Sequence, residues 1–185
     1  MRLKDKVAVV TGGGSGFVEG IAARFAAEGA SVLVADINED AARRVAEDIS
    51  GAGGTAQAFV VDVSVSDQVK AMMDHSESAF GDLDILVNNA GIAQRRGPME
   101  DMTEEEFEHI YAVNAKSVYL TARHGLALLR QRPGANIVNI ASTAAISPRA
   151  GLTWYNGSKG GVWTLTKSTA AELAPEKSAS TPSTR

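Results

Sequence analysis

The side chains best able to do chemistry lie near the C-terminal end of the chain: Ser142, Tyr155 and Lys159. Tyr155 and Lys159 are four residues apart, so on a helix the phenol and the ammonium share one face. A phenol is a poor acid or base at neutral pH, and a cation beside it favours the ionised form. A serine hydroxyl at the same place could hold a substrate oxygen while the phenol moves its proton. Taken alone, Y-x-x-x-K is more often an aromatic core residue next to a solvated lysine.

A second group of residues reads as a cradle for a phosphate-bearing ligand. Thr11-Gly12-Gly13-Gly14-Ser15-Gly16 follows a β-branched run and precedes a helical pattern. Glycines there permit a tight turn and let an anion approach the amides of a helix N-terminus. The spacing G-x-G-x-x-G is not met, because its third glycine would fall on Phe17. Asp36 stands 20 residues past Gly16, after the next strand. A carboxylate there accepts hydrogen bonds from ribose hydroxyls and repels a 2′-phosphate, although a strand-end turn aspartate is an equal reading. Asp62 and Val63 could set a carboxylate and an apolar wall beside an adenine. Asn89, Ala90 and Gly91 place an amide and a flexible glycine at the same rim, where asparagine is also ordinary turn chemistry.

These residues need elements to bring them together. Val7 to Thr11, Ser31 to Ala35, Ala56 to Val61, Leu83 to Val87 and Asn136 to Ile140 read as strands. Between them lie helical stretches at 16–28, 38–50, 66–80 and 103–130, and a last helix at 155–174. Asn38 and Ser66 are expected N-caps, and Thr103 with Glu106 forms a capping box. Five β-α units in series imply a parallel sheet with right-handed crossovers, which binds ligands beyond the carboxyl ends of its strands. A net charge of -4 and a pI near 5.4 leave no electrostatic footprint for nucleic acid or an anionic membrane. With no cysteine and no apolar run long enough to span a bilayer, the chain is expected to be cytoplasmic. His75, His109 and His124 are far apart on helices and argue against a metal site.

Together and in order, TGGGSG, Asp36, DV, NNAG, Asn114, Ser142 and YNGSK resemble the short-chain dehydrogenase/reductase family, in the branch of 3-oxoacyl-carrier-protein reductases and small alcohol or sugar dehydrogenases. The resemblance covers about residues 4–177. It implies a Rossmann-like doubly wound parallel α/β sheet with strand order 3-2-1-4-5, forming one NAD(P)-binding domain over residues 1–177. It also implies hydride transfer between a nicotinamide cofactor and a ketone or secondary alcohol. Tyr155 is then the general acid/base, Lys159 its cationic partner and a ribose ligand, Ser142 the stabiliser of the substrate oxygen, and Asn114 the anchor of a relay water. Asparagine is a poor helix former, so Asn114 in mid-helix fits a site better than a scaffold. Gly12, Gly14, Ser15, Gly16, Phe17, Asp36, Asp62, Val63, Asn89, Ala90 and Gly91 would hold the cofactor, and Asp36 favours NAD over NADP. Partners are restricted to a small-molecule ketone or alcohol and, as for full-length relatives, dimer or tetramer mates.

Two departures from the family pattern bear on these expectations. The last glycine of T-G-x-x-x-G-x-G is replaced by Val18, whose branched side chain is expected to overpack the turn or displace the helix start, weakening NAD binding. Residues 178–185, SASTPSTR, have no strand pattern and are expected to be an unstructured tail. Members of the family commonly continue here with I-R-V-N-A-V-N-P. The codons ATC CGC GTC AAC GCC GTC AAC CCG for that stretch, read after loss of the first A, spell Ser-Ala-Ser-Thr-Pro-Ser-Thr-Arg, the sequence of residues 178–185. The tail therefore reads as out of frame, on a product lacking the family's last two strands and substrate cover. The edge of the fifth strand would then be unpaired. The alternative to an active enzyme is a silent truncated fragment that at most binds nucleotide or a full-length homologue.

Overall fold

The computed structural model describes residues 1–174 and the backbone of 179–183. β1 (Val7–Thr11) is buried along its whole length. Val7 and Val9 join one apolar cluster while Ala8 and Val10 join another on the opposite face of the sheet. That two-sided burial is what an unbroken β-branched run in a central parallel strand requires. β2 (Ser31–Asp36) and β4 (Ile85–Asn88) flank it, β3 (Thr55–Val60) lies outside β2, and β5 (Asn136–Ile140) lies outside β4. All these pairings are parallel, giving the expected order 3-2-1-4-5.

Helices α1 (Gly16–Ala27) and α2 (Glu39–Gly51) supply Val18, Ala22, Val45 and Ile49 to one cluster. The other takes Val69, Met72 and Met73 from α3 (Ser66–Phe80) and Leu120, Leu128 and Leu129 from α5 (Ser117–Arg130). Asn38 caps α2 as expected, its side chain accepting from the Ala41 N–H. Ser66 does not cap α3. Val65 occupies the N-cap position, and the Ser66 hydroxyl pairs with His124 Nε2 at 3.0 Å instead.

The helix expected over 103–130 is interrupted. The Thr103–Glu106 capping box starts α4 (Glu104–Tyr111), but residues Ala112–Lys116 form a π-helical turn before α5 begins. Asn114 sits in that turn, which accounts for its poor fit to a regular helix. Such π turns are frequent at functional sites because they re-aim one side chain out of register. The last long helix, α6 (Thr153–Leu173), runs behind β5.

The sheet has six strands where five were expected. β6 (Ala179–Ser183), in the stretch read as an unstructured tail, pairs parallel with β5, so the β5 edge is covered. The physical reason is that an open parallel edge offers backbone N–H and C=O groups to whatever extended segment follows α6, with little demand on side-chain type. Pro182, which has no N–H to donate, is tolerated because β6 is itself an edge. Residues 178, 184 and 185 lie outside the described residues. Among the described residues no helix is long and apolar enough to cross a membrane.

Candidate active site

The carboxyl ends of β1 and β4 are joined by a single side chain. The Thr11 hydroxyl donates to the Val87 carbonyl (3.2 Å) and accepts from the N–H groups of Asn89 (3.1 Å) and Ala90 (3.2 Å). Asn89 returns the link, its amide donating to the carbonyls of Thr11 and Gly12. Gly12 has φ +64°, and a Cβ there would stand 2.8 Å from Asn89 Nδ2 and 2.9 Å from Ala90 Cα. Only glycine fits between the two loops.

Asp36 is tied into the glycine loop. Its Oδ2 accepts from the Gly14 N–H (2.9 Å) and its Oδ1 from the Asn38 N–H (3.0 Å). Arg44 holds the same loop from the other side, donating to the Gly14 carbonyl (3.1 Å) and to both carboxylate oxygens of Glu19. Ser15 stands at the N-cap of α1 without a side-chain cap bond, at the positive end of the helix dipole, which favours an anion.

These residues line a cleft of about 370 Å³. Its walls include Gly12, Ser15, Gly16 and Phe17 from the glycine loop and α1, with Asp36 at the end of β2 and Ile37 just after it. Asp62, Val63, Asn89, Ala90 and Gly91 complete the expected cofactor set along it. Gly14 is behind the wall, bonded to Asp36. Asp62 also orders its own turn, accepting from the Ser64 N–H and hydroxyl. Val18 is 1% exposed and belongs both to the cleft wall and to the cluster containing Ala8 and Ala22. Those small neighbours make room for its methyl groups within the core, so α1 keeps its start at Gly16.

Tyr155, Lys159 and Ser142 do not line this cleft, but Lys159 stands behind one of its wall residues, Gly91. A Cβ built on Gly91 would lie 3.1 Å from both Lys159 Nζ and Asn114 Oδ1, so the ammonium and the amide both pack against this wall residue of the cleft. Lys159 is 6% exposed, donates to the Ile140 carbonyl (3.0 Å), and has no carboxylate partner among the described residues. Burial pushes its ammonium down from 10.5 to about 8. Asn114 is fully committed. Its Oδ1 accepts from the Ile92 N–H (2.8 Å), and its Nδ2 donates to the Ile92 carbonyl and to Ser158 Oγ, both at 3.0 Å. Ser158 in turn donates to the Tyr155 carbonyl (2.8 Å), linking the π turn to α6. Ser142 caps the short 3₁₀ turn Thr143–Ala145 by accepting from the Ala144 N–H, which leaves its own proton for another acceptor.

The sequence reading missed the residue that starts α6. Leu152, at its N-cap, offers no side-chain acceptor, and the buried Gln94 supplies one from the loop after β4. Gln94 Oε1 accepts from the N–H groups of Trp154 (3.1 Å) and Tyr155 (3.0 Å). Three further bonds fasten the same two segments together: Arg96 Nε to the Ala150 carbonyl, the Gly97 N–H to the Gly151 carbonyl, and Trp154 Nε1 to the Met99 carbonyl. Thr11 and Arg44 were also missed. A threonine opening a glycine loop was the only local signal among them, since Gln94 and Arg44 act across the fold.

Residues 6–179 match the family model described as short chain dehydrogenase. The chain is 45% identical over 174 residues to the 4-formylbenzenesulfonate dehydrogenase of Comamonas testosteroni, covering 94% of this chain and 69% of that protein. The curated relatives compared are spanned over 61–70% of their length. Among solved structures, it resembles a 3-ketoacyl-(acyl-carrier-protein) reductase from Brucella melitensis complexed with NADH: TM-score 0.92, 41% identity, 98% of this chain and 76% of that one. A metagenomic short-chain oxidoreductase complexed with NADP gives TM-score 0.95 at 33% identity, covering 100% of this chain and 83% of the other.

Proposed function

The chain belongs to the short-chain dehydrogenase family, and from that premise we propose that it interconverts a ketone and a secondary alcohol using NAD. The observation that carries this reading is the buried Lys159 ammonium, without a carboxylate partner among the described residues, packed against Gly91 in the wall of a glycine-lined cleft. An uncompensated cation in that position is costly for a scaffold and fits an anionic or polar ligand arriving from the cleft.

The residues present fit a dinucleotide. Gly12 leaves no room for a side chain, Gly16 faces open space at φ +67°, and the N-terminal end of α1, with Ser15 at its N-cap, lines the cleft where its dipole favours phosphate. Asp36 ends β2 and Ile37 follows it, where a ribose carboxylate partner and an apolar contact belong, and the acid disfavours a 2′-phosphate. Solved neighbours hold NADH in one case and NADP in the other, so the preference for NAD rests on Asp36.

When bound, a nicotinamide supplies the hydride donor or acceptor. Tyr155 gives its phenolic proton to the substrate oxygen as negative charge develops there, and takes it back in the reverse direction. Ser142 donates its unused hydroxyl proton to that oxygen. Lys159 balances the phenolate that remains, from four residues along the same helix face. Asn114 holds the Gly91–Ile92 loop and the Tyr155 turn in place through Ile92 and Ser158.

Titration of NADH and NADPH by fluorescence, followed by turnover with a panel of ketones, tests the proposal. NADH is expected to bind at least tenfold tighter than NADPH. Tyr155→Phe is expected to lower turnover by roughly 10²–10⁴-fold with NADH affinity retained. Binding without turnover of any ketone would overturn the catalytic part of the reading.

A further inference from the structure

We infer that the ketone substrate carries an anionic group received by Arg95 and Arg96, a deepening of the proposed function that rests on Tyr155 as proton donor. A second cavity, of about 630 Å³, shares Ile92 and His109 with the cofactor cleft and so adjoins it. Its wall is the loop after β4 that includes Gln94, the residue bonded to the Tyr155 N–H. Arg95 is the next residue in that wall, adjacent in the chain to the residue that holds the first turn of α6, which carries Tyr155.

The bonding of the arginines sets these two apart from others in the chain. Arg24, Arg43, Arg44 and Arg132 each rest on a carboxylate. Arg95 makes no hydrogen bond or ion pair with any described residue. Arg96 gives only its Nε, to the Ala150 carbonyl, so its terminal nitrogens are free while its stem is fixed. The wall is held by the five bonds between segments 94–99 and 150–155, so little ordering is needed when a ligand arrives. Two acids share the cavity. They are Asp101 and Glu106, and Glu106 is engaged in its capping box with Thr103. Pro98, Met102 and Ile110 give the remaining wall an apolar character suited to a carbon skeleton. A forked guanidinium over such a wall matches an aryl or alkyl ketone bearing a carboxylate or sulfonate.

The test compares 4-acetylbenzoate with its uncharged counterpart 4-methylacetophenone in kcat/KM, for the wild type, Arg95→Gln and Arg96→Gln. The wild type is expected to prefer the anion by roughly tenfold or more, as one charge-assisted hydrogen bond implies. That ratio should fall toward one in Arg95→Gln and with added salt. Equal use of both ketones by the wild type, or an unchanged ratio in Arg95→Gln, overturns the inference. If neither ketone turns over, 4-acetylbenzoate is titrated into the protein with and without NADH, read by tryptophan fluorescence. Saturable binding lost in Arg95→Gln supports the inference and its absence overturns it. NADH affinity and the Tyr155→Phe result, measured alongside, report on the proposed function separately.

Discussion

The side-chain oxygen of Gln94 lies 3.0 Å from the backbone nitrogen of Tyr155, so a loop on one side of the site starts the helix on the other. Because Leu152 gives α6 no cap of its own, the orientation of its first turn depends on this contact and its companion to Trp154. Gln94→Ala is expected to lower kcat by about tenfold and stability by about 1 kcal/mol, the usual worth of a helix cap, with NADH affinity unchanged. Gln94→Glu keeps an acceptor and adds a charge favourable to a helix N-terminus, and should restore most of the turnover. Wild-type kcat in the alanine variant, measured beside its melting temperature, would show that the contact only supports the fold.

Val18 serves two surfaces, and relieving one should injure the other. Val18→Gly removes a branched side chain from the cleft wall at the start of α1, and NADH is expected to bind about tenfold tighter, roughly 1.4 kcal/mol. The same change removes a fully buried side chain and puts glycine inside a helix, lowering stability by roughly 2–3 kcal/mol. Fluorescence titration and urea unfolding measure the two effects independently. Equal NADH affinities in both proteins would remove Val18 from any account of cofactor binding.

Lys159 makes stability pH-dependent in an unusual direction. Its folded value, about 8, lies below the ordinary 10.5, so between these values the unfolded chain binds more protons and stability rises with pH. Below pH 8 both states are charged and the penalty is complete; above 10.5 both are neutral and it vanishes. Lys159→Met should stabilise the protein by about 2 kcal/mol at pH 7, after allowing for the lost bond to Ile140, and abolish turnover. The gain over wild type should shrink as pH is raised from 8 toward 10.5 in denaturant melts. A constant difference over that range would contradict the assignment.

What was legible in the sequence was local. VAVVT and SVLVA read as doubly covered strands and Thr103 and Glu106 formed the capping box that their spacing announced, whereas the π turn at Asn114 broke a helix expected to run on over 103–130. Most residues that line the cleft were readable because they stand at the carboxyl ends of strands, and a parallel sheet brings those positions to one rim. What stayed hidden depends on partners distant in the chain. Gln94 acts on a helix 60 residues away, Arg44 reaches back to the Gly14 carbonyl, and the Ser66 hydroxyl turns to His124 rather than to its own helix. β6 was missed because its pairing is through backbone groups, which a Ser/Thr/Pro composition does not advertise.

At the opposite end of the sheet, Asp84 tells whether the scaffold can be weakened without touching the site. Its Oδ1 accepts from Lys6 Nζ (2.7 Å) and Arg132 Nε (3.0 Å), and its Oδ2 from the Val7 N–H (3.0 Å), tying the starts of β1 and β4 to the turn after α5. Burial pushes the carboxyl up, but these donors outweigh it and hold it below the ordinary 3.8. A depressed carboxyl stabilises the fold fully above its unfolded value and loses that contribution as pH falls through the folded one. Asp84→Asn is therefore expected to lower stability by roughly 2–4 kcal/mol at pH 7 while leaving NADH affinity intact. Its deficit against wild type should narrow steadily below pH 4, followed by acid titration of the circular dichroism signal. A deficit that persists undiminished to pH 2 would mean that the charge of Asp84 contributes nothing beyond its shape.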